Sequence, residues 1–150
     1  VIERLKQVAT RGGWHPRARR AGASNGAGAR DAQLDFSRLA GRMLSELGVP
    51  QRFKGFVYLR DAISMACVRP FAVKTMMKSV YPAVAERYST TPEAVERAIR
   101  HAIEVMCTRG DLSAITRIFG NSIDSEKAKP TNAFFIATLA ERVKAGFTRL

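Results

Sequence analysis

From Leu34 to the end of the chain, apolar residues return every three or four positions in segment after segment, and no stretch sustains the one-by-one alternation of a strand. A chain with that period buries itself as helices packed side on side. The stop signals are as regular as the period. "DFSRLAGRMLSELG" places Leu39, Met43, Leu44 and Leu47 on one face, with Asp35 or Ser37 as N-cap and Gly48 as C-cap. "KGFVYLRDAISMACV" follows, with Phe56, Leu59, Ile63 and Cys67 in register, ended by Pro70. "FAVKTMMKSV" reads as a short third helix. Pro82 suits the first turn of a fourth, "YPAVAERY". "TTPEAVERAIRHAIEVM", "DLSAITRIFG" (Asp111 to a stop at Gly120) and "TNAFFIATLAERVKAGF" (capped by Thr131 or Asn132) complete the set. The expectation is an all-α, compact bundle of about six or seven helices over residues 35–150.

The first 34 residues read differently. Residues 1–10 have Ile2, Leu5, Val8 and Ala9 on one side, as in the last turns of a helix that Gly12 and Gly13 stop. Residues 11–34 are rich in Ala, Gly and Arg without an apolar period, which is linker composition. The whole chain holds 25 Lys and Arg against 13 Asp and Glu, a net +12. Residues 1–36 account for seven of the basic and three of the acidic residues, so the helical part is basic in its own right. Such a surplus favours a polyanion, either nucleic acid or an anionic membrane surface. Arg dominates it, and its planar fork suits phosphate and guanine edges.

Cys67 and Cys107 lie in separate helical runs with no metal-ligand spacing, so reduced, buried thiols and a reducing cytoplasm are expected. No apolar run is long enough to span a bilayer, and the opening residues are amphipathic rather than signal-like. No nucleophile triad, carboxylate pair or glycine-rich phosphate loop stands out, and neither an enzymatic activity nor a cofactor nor a metal is expected. Met65, Met76, Met77 and Met106 read as core filling.

Residues 90–106 carry the most specific pattern. On a helical wheel Val95, Ala98, Ile99, Ala102, Ile103 and Met106 share one sector; Glu93, Glu96, Arg97, Arg100, His101 and Glu104 share the other. Either Thr91 caps this helix with Pro92 behind it, or Thr90 and Glu93 form a capping box. The shorter helix and turn ahead of it complete a helix-turn-helix arrangement, in which the second helix enters the major groove. Arg97 and Arg100 each offer a bidentate fork to guanine, and Glu96 an acceptor to cytosine N4. The same residues also fit an ordinary solvated face with a Glu96–Arg100 pair at i,i+4. A basic module for protein interaction and a non-specific nucleic-acid binder are the competing functions.

"VERAIRHAIE" resembles the recognition helix of the sporulation master response regulator family, stage zero sporulation protein A. "LGVP", "KGFVYLRDAI", "YPAVAERYSTTPEAVERAIRHAIEV", "RGDLSAITRIFG" and "KAKPTNAFFIA" look like successive landmarks of that family's effector domain, over about Phe36 to Val143. The resemblance implies a duplex-DNA-binding transcription regulator that activates or represses promoters and is controlled through a phosphoacceptor receiver domain. Residues 1–10 would then end that receiver and residues 11–34 would be the interdomain linker. It implies base reading by Glu96, Arg97, Arg100 and His101, the last at or beside the phosphate. Phosphate contacts fall to Thr91, Lys127, Lys129, Thr131 and Asn132, where Lys residues flank a helix start. Contact with the polymerase sigma subunit falls to Arg109, Ser113, Thr116 and Arg117, with Leu112, Ile115, Ile118 and Phe119 in the core. Pairing of two copies on adjacent boxes is a further implication.

Overall fold

In the computed structural model residues 23–120 and 129–148 are described, and among them every regular element is helical. Six α-helices form the bundle: α1 (Ala23–Leu47), α2 (Lys54–Val68), α3 (Tyr81–Arg87), α4 (Pro92–Arg109), α5 (Leu112–Phe119) and α6 (Asn132–Thr148). The expected helix end at residues 1–10 and the expected phosphate contact Lys127 lie outside the described residues.

α2 is the axis of the fold. Of its fifteen residues only Lys54, Val57 and Arg60 escape burial, and α1, α3, α4 and α6 all pack on it. Leu59 and Ile63 are wholly enclosed with Phe36 and Leu44 of α1, Ile99 and Ile103 of α4, and Phe135 and Leu139 of α6. α4 sits close to α2 because Gly55 lacks a side chain. A Cβ there would collide with the Ala98 carbonyl oxygen and lie 2.7 Å from the Ala102 methyl. A second close crossing joins the ends of α1 and α4. Gly48 turns at φ +92°, its N–H donates to the Ser45 carbonyl, and the Val49 N–H donates to that of Leu44, which satisfies the last carbonyls of α1. A Cβ on Gly48 would lie 2.7 Å from the Gly110 Cα, and the Asp111 N–H donates to the Leu47 carbonyl.

Five sequence expectations are corrected. α1 begins at Ala23, so neither Asp35 nor Ser37 caps it. Tertiary contacts outweigh the weak local signal: Ala32 and Phe36 are each 1% exposed, and the Phe36 ring lies 4.9 Å from that of Phe147. The third helix is a 3₁₀ turn (Pro70–Thr75) followed by a π turn (Met76–Val80) that runs into α3. Ser79 Oγ donates to the Thr75 carbonyl at 2.7 Å, competing with the backbone at the point where the turn widens. Met77, carried on this turn, is 53% exposed, whereas Met65, Met76 and Met106 are buried. Leu112 is 70% exposed because it starts α5 on the outward side; Ile115, Ile118 and Phe119 do face the core. Both cysteines are free; Cys67 is buried and Cys107 half-buried. None of the described helices is long and apolar enough to cross a membrane.

Candidate nucleic-acid interface

The helix-turn-helix is α3, residues 88–91 and α4. Its turn is held by a positive-φ residue, Ser89 (φ 53°), with the Thr90 N–H donating to the Ala85 carbonyl at 2.9 Å and the Ser89 N–H to that of Glu86 at 3.4 Å. This is the hydrogen-bond pattern of a Schellman stop, usually built on glycine. Thr91 then opens α4: its Oγ1 accepts from the Ala94 N–H at 3.1 Å, which selects the Thr91 cap over the Thr90–Glu93 box.

Burial divides α4 as its sequence does. Val95, Ile99, Ala102, Ile103 and Met106 are buried; Glu93, Arg97, Arg100 and His101 are exposed. Among the described residues Arg97 has no ion pair or hydrogen bond through its side chain. Arg100 Nη1 lies 3.7 Å from Glu96 Oε1, with the Arg side chain 57% exposed. At that exposure the pair is weak enough to yield to a ligand.

Two other elements flank this face. On the side of Glu96 and Glu104 is the start of α6. Thr131 caps it, accepting from the Phe134 N–H at 3.1 Å. The Asn132 side-chain nitrogen donates to Tyr81 Oη at 2.9 Å and to the Glu96 carbonyl at 3.3 Å, tying α6 to both helices of the motif. Burial pushes the Tyr81 hydroxyl up from its ordinary pKa and keeps it protonated. Lys129 Nζ stands 3.9 Å from Glu104 Oε1. On the side of His101 is the loop entering α2. The Phe53 ring stacks on the His101 ring at 5.4 Å and 17°, and Arg52 Cζ lies 5.5 Å from the Phe53 centroid.

Sequence reasoning missed Arg52 and Phe53. They stand 48 or more residues from His101, and no local period marks the neighbourhood that Gly55 creates. Of the residues assigned to a sigma contact, Arg109, Ser113, Thr116 and Arg117 are all exposed along the end of α4 and the outside of α5. Arg117 Nη2 lies 3.6 Å from Glu46 Oε2, and Arg142 donates to the carbonyls of Arg117 and Ile118.

A helix-turn-helix with an exposed, arginine-bearing second helix on an all-helical scaffold defines the class as a DNA-binding effector domain. The family described as sporulation initiation factor Spo0A C terminal matches residues 41–143. The chain belongs to that family, the DNA-binding effector domain of a sporulation response regulator.

Proposed function

We propose that α4 reads base sequence in the major groove of promoter DNA, and that the protein activates or represses transcription from those sites. The observation that carries this reading is the placement of Arg97 and Arg100: outward, side by side on a helix whose opposite face is buried. Two guanidinium forks and the Glu96 carboxylate suit a box with G·C pairs at its centre. His101 stands at the edge of the face, toward the phosphates. The Thr91 end of α4 and the Lys129–Thr131 approach to α6 are the phosphate contacts. Asn132 acts chiefly as a strut, since its amide is already bonded to Tyr81 and Glu96, and it meets phosphate through its backbone N–H.

In the whole regulator a phosphorylated receiver controls this domain in the cytoplasm. Two copies pair on adjacent boxes, and Arg109, Ser113, Thr116 and Arg117 face the sigma subunit.

Arg97→Ala and Arg100→Ala are each expected to cost ~1–3 kcal/mol on a selected duplex and much less on a scrambled one. Equal losses on both, measured by fluorescence anisotropy, would leave only non-specific binding. Lys129→Ala is expected to weaken all duplexes alike and reduce the salt dependence by about one unit. An unchanged slope removes Lys129 from the interface.

A further inference from the structure

Outside the reading helix an open groove of about 560 Å³ runs between α1, α2 and the end of α3. Four arginines line it: Arg38 and Arg42 from α1, Arg60 from α2 and Arg87 from α3, with Ser45 and Gln51 between them. Gln51 Nε2 donates to Ser45 Oγ at 2.9 Å, which fixes that wall. The arginines fall into two pairs. Arg60 and Arg87 are anchored from below by Asp61, buried to 2% exposure: Arg60 Nε lies 3.3 Å from Oδ1 and Arg87 Nη1 3.6 Å from Oδ2. Arg38 and Arg42 are exposed and, among the described residues, make no ion pair. They stand at i,i+4 on one helix face, where like charges repel and weaken the helix. An anion lying between them reverses that sign.

The chain runs from the lining of this groove into the reading face at two points. Arg87 is four residues ahead of Thr91, the cap of α4, and Gln51 is two residues ahead of Phe53, which stacks on His101. Through Gln51 and Phe53 the groove connects to the His101 side of α4, whereas Lys129 stands beside Glu104. A helix seated in the major groove has a phosphate backbone along each flank. Resting on the DNA-binding reading above, we propose that Arg38 and Arg42 contact backbone phosphates outside the bases read by α4, with Arg60 and Arg87 forming the far wall of the same cradle. The recognised ligand is the phosphodiester itself, so these contacts add affinity and no base preference.

The test compares wild type with Arg38→Gln/Arg42→Gln and Arg38→Lys/Arg42→Lys on a duplex selected by the wild type, on a scrambled duplex, and on the selected box trimmed of its flanks. Both positions are exposed and both replacements favour helix, so thermal melts should match wild type. The Gln variant is expected to lose affinity by the same factor on selected and scrambled duplexes. Its log–log salt dependence should fall by about two units, and trimming the flanks should cost it less than wild type. The Lys variant is expected to restore most of the slope. Wild-type binding with an unchanged slope in the Gln variant would overturn the proposal while leaving base reading intact. Loss confined to the selected duplex would also overturn it, because it would make these arginines base readers. Absence of wild-type binding to any duplex would sink the DNA-binding reading and this proposal together.

Discussion

Ser89 pays a local cost to shape the motif. With φ at 53° it occupies the left-handed region, where a Cβ crowds the following carbonyl, yet the turn requires that conformation to redirect the chain from α3 into α4. Ser89→Gly is expected to raise stability by ~0.5–1 kcal/mol, seen as a higher denaturation midpoint at unchanged slope, with DNA affinity unaltered. Destabilisation would mean that the Ser89 side chain has a role beyond its backbone. At this scale much of the site was legible. The caps Thr91, Asp111 and Thr131 follow from short polar side chains that satisfy the next free N–H groups, and each does so, at 3.1, 3.0 and 3.1 Å. The exposure of Arg97 and Arg100 followed from helical spacing alone. The Phe53–His101 stack and the Asn132 strut did not, because both join residues that only the tertiary fold brings together.

Among the elements, the packing of α2 on α4 decides where the reading face sits. Gly55 permits a backbone-to-backbone approach that no other residue allows, because the Ala98 carbonyl blocks any Cβ. Gly55→Ala must push α4 outward and separate Phe53 from His101. We expect a loss of about 1–3 kcal/mol of stability in urea titration. DNA affinity should drop further than the unfolded fraction explains, and wild-type behaviour would show that the crossing is loose. Element boundaries were read well where capping is local, as at Gly48 and Asp111. They were misread where tertiary contact overrides weak signals: Ala32 and Phe36 pull α1 back to Ala23, and Pro70 with the Ser79–Thr75 bond turns an expected α-helix into 3₁₀ and π turns.

For the whole molecule, burial in the bundle favours the protonated forms of Cys67, Tyr81 and Tyr88. Burial pushes the Cys67 thiol up to about 12 from 9.0, and it donates to the Ala140 carbonyl at 3.5 Å. Tyr81 and Tyr88 are raised by burial as well, and the Tyr88 hydroxyl donates to the buried Asp61 carboxylate, which opposes its ionisation further. A folded pKa above the unfolded one means that the native state holds its proton more tightly. The stabilisation is complete below about pH 9 and is lost as pH rises toward 12. The melting temperature is therefore expected to fall steadily above pH 9 and the Cys67 thiol to stay unreactive in the native protein at pH 8. A flat profile to pH 11 would contradict this account of the core. The helical class and the basic excess were visible in the sequence because period and composition act over the whole chain. The arginine groove was not, since its walls come from three helices.

The central claim is that Arg97 and Arg100 distinguish base pairs. The most direct test is selection of preferred sites from a random duplex pool by wild type, Arg97→Ala and Arg100→Ala, sequenced side by side. The account predicts that each variant loses preference at one position, a different one for each, while the rest of the site persists. Identical site profiles for all three proteins would contradict it.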